Sequence, residues 1–121
     1  MITVGIGART GVSATEVLAA VDAVLPADAD TVRLATLDLR AAEPGIRAAA
    51  EQRGWELVGH RAPELAAVTV PGPSARVGDA VGTPSVAEAA ALLHSGELVV
   101  AKTVVGRVTV AVGRQRREWT A

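Results

Sequence analysis

Residues 2–25 read ITVGIGARTGVSATEVLAAVDAVL, and the period of the apolar positions changes partway along. Ile2–Ile6 is short, apolar and bounded by glycine, which predicts a buried strand. Gly7–Val12 is a glycine-rich turn. Ser13 opens a helix, with Glu16 three positions on as a capping box. Val17, Leu18, Val21, Val24 and Leu25 then share one helical face, and Pro26 stops the helix. A strand, a tight turn and an amphipathic helix make the first half of a βαβ unit.

Strand and helix alternate again downstream. Thr31–Thr36, with β-branched Thr31 and Val32 at its start, predicts a second strand. A polar turn over Asp38–Glu43 leads to Pro44, which suits the first turn of a helix because its missing N–H costs nothing there. Ile46, Ala49 and Ala50 give that helix a narrow apolar face; Gly54 is its C-cap, and Trp55–Val58 a third strand. Pro63–Leu65 reads as a helical turn, and Val70–Ser74, with two prolines and a glycine, as irregular. The best-marked helix begins at Thr83-Pro84-Ser85, with Val86, Ala89, Ala90 and Leu93 at helical spacing, and ends at Gly96. Leu98–Val105 and Arg107–Val112 form an antiparallel hairpin joined at Gly106. The expected fold is a single three-layer α/β domain over 1–121, its sheet mixed but mostly parallel with a C-terminal hairpin, and residues from about 114 onward a basic tail.

Composition narrows the function. A chain of 121 residues fits one domain, and 50% hydrophobic residues suffice for a core. That core must be aliphatic, because there are two Trp, no Phe and no Tyr. A net charge of −1 argues against a general nucleic-acid binder, which needs a basic surface to displace counterions. The absence of cysteine excludes disulfides, thiol nucleophiles and thiolate metal sites. Two histidines far apart in sequence, His60 and His94, give no basis for a zinc site, so no metal or cofactor is expected. The N-terminus lacks the basic region and cleavage site of a signal peptide, and no apolar run reaches a membrane-spanning length. A cytoplasmic protein with no membrane partner is expected.

Three segments carry candidate chemistry. Gly5-Ile6-Gly7-Ala8-Arg9-Thr10-Gly11 follows a strand and precedes a helix, as a phosphate- or dinucleotide-binding loop does. Its spacing is G-x-G-x-x-x-G rather than G-x-G-x-x-G, and no acidic residue clearly ends the second strand to hold a ribose. A tight turn, or a helix N-terminus for some other anion, competes with the dinucleotide reading. Next, Thr36, Asp38, Arg40 and Glu43 cluster where a parallel strand ends, the place at which open α/β sheets hold ligands. Asp38 and Glu43 equally suit capping of the following helix, and as a carboxylate pair they are the candidate bases of any acid–base chemistry. Third, Gly82-Thr83-Pro84-Ser85-Val86-Ala87-Glu88 opens a helix. Ser85 with Glu88 is a capping box, or Thr83 caps with Pro84 at the first helical position; the same free N–H groups suit a carboxylate.

Outside these segments, His60 is expected in a surface loop just after a strand. His94, at a helix C-terminus, is placed favourably against the helix dipole. Arg114, Arg116 and Arg117 are a solvated cluster. Lys102 interrupts an apolar strand, so it either protects an edge or points into a site.

Taken in order, these blocks resemble the CobE / CbiG C-terminal family of cobalamin (vitamin B12) biosynthesis. The matching segments are Val4-Gly5-Ile6-Gly7 with Arg9, Thr36-Leu37-Asp38 with Arg40, and Glu43-Pro44-Gly45. Gly82-Thr83-Pro84-Ser85-Val86-Ala87-Glu88-Ala89-Ala90, Lys102 and Val108–Ala111 complete the set, which spans roughly residues 2–113. The resemblance implies work on a corrin, between the early precorrins and hydrogenobyrinic acid or its cobalt-bearing counterpart. In this family CbiG is the hydrolase that opens the lactone of cobalt-precorrin-5A and releases acetaldehyde, whereas CobE carries no settled reaction. Lacking the additional N-terminal region of CbiG, the chain is similar to the standalone CobE branch. Ala8 stands where many relatives have cysteine, and Arg40 where lysine is frequent, which keeps charge but not a titratable amine.

The expected function is therefore binding and carriage of a corrin or precorrin in the aerobic route, with other cobalamin-pathway enzymes as further partners. Two alternatives are a precorrin lactone hydrolase with Asp38 or Glu43 as base, and a nucleotide-binding α/β domain. A corrin intermediate is a flat apolar ring fringed by carboxylates. Gly7, Arg9, Thr10 and Ser13 in the first loop, and Thr36, Asp38, Arg40 and Glu43 in the second, are the expected ligand groups. Gly82, Thr83, Ser85 and Glu88 at the third, with Lys102, complete them.

Overall fold

In the computed structural model, which describes residues 1–27, 29, 31–68, 85–93, 95 and 97–115, strand β1 covers Ile2–Ala8 and helix α1 Ala14–Val24. They are followed by β2 (Val32–Leu37), α2 (Asp38–Ala41), α3 (Pro44–Arg53), β3 (Glu56–His60) and α4 (Ala62–Ala66). Helix α5 (Val86–Leu93) and the strands β4 (Glu97–Val105) and β5 (Val108–Arg114) complete the described chain.

One five-stranded sheet runs in the order β3-β2-β1-β5-β4. β1–β2 and β2–β3 are parallel, while β1–β5 and β5–β4 are antiparallel. The sheet is thus mixed in equal parts, because the C-terminal hairpin inserts β5 directly against β1 rather than capping an edge. Its turn is Gly106-Arg107, between paired Val105 and Val108, and Gly106 has φ +61°. A positive φ at the first central residue is the demand of a type II′ turn.

The strands alternate between two faces. Ile2, Val4 and Ile6 of β1 join Leu34 and Val108, Val110 and Val112 under α1 and α3, the larger core. Each such side chain contributes about 1.5–3 kcal/mol when fully buried. The opposite face is built of small residues: Ala35 meets Leu65, Ala89 and Ala90, and Ala111 meets Ala87 and Ala91. Helix α5 lies here almost backbone on backbone. A Cβ on Gly5 would overlap the Ala87 carbonyl and stand 2.7 Å from the Ala91 amide, and one on Gly113 would stand 2.7 Å from the Ala91 carbonyl.

Several sequence expectations shift. β1 runs on to Ala8, so Gly7 is in the strand and the turn is confined to residues 9–12. The segment expected as a polar turn after β2 is helical over Asp38–Ala41. The third strand begins and ends later than Trp55–Val58, and His60 is its buried last residue, not a surface loop residue. Arg114 ends β5 rather than starting the tail. Gly54 does end α3 with a left-handed φ of +69°, and Pro63–Leu65 is helical. Gly82, Thr83, His94, Gly96, the stretch Val70–Ser74, Arg116 and Arg117 lie outside the described residues.

Candidate functional site

The parallel strands β1 and β2 end side by side, and the loops that follow them are tied together. Arg40 donates from Nε to the carbonyl of Ala8 at 2.9 Å, fixing the end of β1 to α2. The amide of Gly11 donates to Glu43 Oε1 at 3.0 Å, fixing the turn to the start of α3. A third contact needs glycine: a Cβ on Gly45 would overlap the carbonyl oxygen of Val12. Gly11 itself has φ +90°, a conformation that side chains resist. Deeper in, Thr36 is fully buried and its hydroxyl donates to the Ile6 carbonyl at 2.7 Å.

Helix α1 starts on this edge with the expected capping box. Glu16 N–H donates to Ser13 Oγ at 3.1 Å, and Ser13 N–H to Glu16 Oε1 at 2.9 Å. Glu16 also takes both arms of Arg107, from the hairpin turn, at 2.7 and 2.8 Å. Those hydrogen bonds, Arg107 first, lower its carboxyl to about 2.

Helix α5 runs antiparallel to β1. Its first residues, Val86 and Ala87, pass Gly7, and Ala91 passes Gly113, opposite Thr3. The N-termini of α1 and α5 therefore lie at the same carboxyl edge of β1, on opposite faces of the sheet. At α5, Glu88 N–H donates to Ser85 Oγ at 3.4 Å. The Glu88 side chain is fully buried, and its Oε2 accepts from the backbone N–H of Lys102 at 2.9 Å.

The expected ligand residues thus separate by accessibility. Arg9, Thr10, Ser13, Asp38 and Lys102 are exposed, while Gly7, Arg40, Glu43 and Ser85 are half-buried. Thr36 and Glu88 have no exposed surface and sit inside the packing. Lys102 stands on β4, three strand positions from β2, which at ~4.8 Å per strand is roughly 14 Å. Glu43 stands at the N-cap position of α3 without capping it, since its carboxylate reaches Gly11 instead.

Sequence reading passed over Leu39, which is 70% exposed between Asp38 and Arg40. Its signal was an apolar residue in a polar segment. Val104, 65% exposed on β4, is a second such surface. Among the described residues no three His, Asp or Glu side chains converge as a metal site. No described helix is long and apolar enough to cross a membrane.

The dinucleotide reading loses its loop. Gly5 and Gly7 both belong to β1, and the room at Gly5 is filled by the backbone of α5. What remains is an open α/β domain whose rim, where its parallel strands end, carries Arg9, Asp38, Arg40 and Glu43 beside exposed Leu39. Residues 2–113 match the family model described as cobalamin synthesis G C-terminus, and the chain belongs to that family. It is 32% identical over 118 residues to a cobalt-precorrin-5A hydrolase of Priestia megaterium. That match covers 93% of this chain and 32% of the relative, so the chain spans about a third of the relative's length. Among solved structures, the cobalamin biosynthesis protein chiG from Agrobacterium tumefaciens str. C58 is 36% identical with a TM-score of 0.74, over 97% of this chain and 100% of that one. CobE, a protein from the cobalamin (vitamin B12) biosynthetic pathway, is 29% identical with a TM-score of 0.74, over 93% of this chain and 91% of that one.

Proposed function

We propose that this domain binds a corrin intermediate of cobalamin biosynthesis at the carboxyl edge of β1 and β2, as a binding and carrier protein. One observation carries the site. Arg40 and Glu43 clamp the turn after β1 to the loop after β2, so Arg9, Thr10, Asp38 and Leu39 are displayed on one braced rim. Guanidinium groups and free helix N–H donors suit the carboxylates of a corrin, and exposed Leu39 suits its apolar ring. A metal-free corrin such as hydrogenobyrinic acid is the ligand class. Equilibrium titration read from the corrin absorption band tests it. A saturable spectral shift with retained pigment is expected; no change at high micromolar protein overturns the reading.

The relationship to a cobalt-precorrin-5A hydrolase supports a second reading, lactone hydrolysis. Asp38 is then the better base, because it is exposed while Glu43 is engaged by Gly11. Release of acetaldehyde on incubation with cobalt-precorrin-5A, abolished by Asp38→Asn, would favour it over carriage.

A further inference from the structure

We infer that Glu88 is a positioning residue for Lys102. The inference rests on the corrin reading and extends it, adding Lys102 on β4, one of the expected ligand groups, as a holder of a ligand carboxylate beyond the β1–β2 rim.

The pairing of β4 with β5 slips twice. Leu98 faces Gly113, Val100 faces Val112 and Thr103 faces Val110. β4 therefore gains one extra residue between Leu98 and Val100 and another between Val100 and Thr103. Such bulges leave a residue out of the ladder and redirect its neighbours. Lys102 falls in the second slip, and its N–H donates to Glu88 Oε2 at 2.9 Å.

Glu88 is built into α5 for this contact. Its own N–H is taken by the Ser85 hydroxyl at 3.4 Å, and its neighbours Ala87 and Ala91 press on β1 and β5. With 0% of its surface exposed, the side chain cannot touch a ligand itself. A buried carboxyl oxygen is costly unless it accepts hydrogen bonds, and the Lys102 amide supplies one at 2.9 Å. Glu88 thus acts through the backbone: it holds the bulge in one shape, so the exposed ammonium of Lys102 leaves the strand from a fixed point. Without that acceptor the bulge is free to slide, and Lys102 with it.

Two measurements on wild type, Glu88→Gln, Glu88→Leu, Lys102→Ala and the Glu88→Leu/Lys102→Ala double variant test this. The first, amide hydrogen exchange by NMR, needs no ligand. Lys102 N–H should be protected in wild type and in Glu88→Gln, which keeps an acceptor oxygen, and should exchange at least roughly tenfold faster in Glu88→Leu. The second is hydrogenobyrinic acid affinity. Glu88→Leu and Lys102→Ala should each weaken it roughly ten- to a hundredfold, Glu88→Gln should stay near wild type, and the double variant should be no weaker than Lys102→Ala alone. A folded Glu88→Leu that binds as wild type, or a double variant whose losses add, overturns the inference. Should Glu88→Leu not fold, an unprotected Lys102 amide in wild type, or a Glu88→Gln that binds as poorly as Lys102→Ala, overturns it equally. If wild type binds no corrin, the corrin reading falls and takes the role of Lys102 with it, while exchange still reports whether Glu88 clamps the bulge.

Discussion

Arg107, in the hairpin turn, grips the Glu16 carboxylate with two nitrogens at 2.7 and 2.8 Å and so fastens β4–β5 to the first turn of α1. The two residues are far apart in the chain, and Glu16 simultaneously serves the Ser13 cap. Its carboxyl is lowered from 4.5 to about 2. A depressed carboxylate pKa contributes stability that is present above the unfolded value and is lost as pH falls through the folded one.

Arg107→Ala should therefore lower the melting temperature at neutral pH. The gap from wild type should shrink between about pH 4.5 and about pH 2, where wild type loses the ion pair as well. Thermal melts of both proteins across that range check it. A gap unchanged down to pH 2 would show that Arg107 acts by packing alone.

Gly5→Ala should be among the most damaging single substitutions. Its new methyl meets the backbone of α5, which cannot turn aside as a side chain can. Overpacking of this kind costs about 1–3 kcal/mol or more, measurable by urea denaturation. Gly7→Ala, where nothing comes nearer than 3.8 Å, should be mild by comparison.

Arg9 and Arg40 should part company when replaced. Arg9 is exposed, so Arg9→Ala should melt as wild type yet bind corrin roughly ten- to a hundredfold more weakly. Arg40 also holds the Ala8 carbonyl, so Arg40→Ala should lose stability by about 1 kcal/mol as well as affinity. Equal melting temperatures for the two variants would contradict the bracing role.

Glu43→Gln separates brace from base. Glutamine retains an oxygen for the Gly11 amide, so stability and corrin affinity should stay close to wild type. If Glu43→Gln instead destroys a measured lactone hydrolysis while Asp38→Asn spares it, Glu43 is the base and the assignment is reversed.

The layers of this fold were legible because Ile2–Ile6, Val17–Leu25 and Ile46–Ala50 switch cleanly between strand and helix periods. Caps were legible for the same reason: Ser13 with Glu16, and Gly54, act within a few residues of themselves. Relations across the chain were not. Gly7 read as the start of a turn because glycine usually marks one, and Gly5 as the first residue of a candidate anion loop, yet Gly5 answers to a helix more than eighty positions away. Glu88 read as a capping partner of Ser85 because sequence shows only the local acceptor, whereas the bulged strand offers its carboxylate another amide. Asp38–Glu43 read as a polar turn because four residues of helix leave no period to detect. At the site, residue types and order were visible; accessibility, which divides Arg9 from Thr36 and Glu88, was not.

The two slips in β4 have an effect on the molecule's neighbours. Among the described residues β4 is an outer strand, and the amides and carbonyls along its outer side are out of step with the even spacing of an ordinary strand. A second copy laid alongside would meet donors where it needs acceptors after only a few residues, and it would also meet the Lys102 ammonium. An outer strand of nine residues, with Val99 and Val104 uncovered, would otherwise be a template for fibrillar stacking. The irregularity proposed to orient Lys102 is thus also expected to hinder strand pairing between copies of the domain along β4.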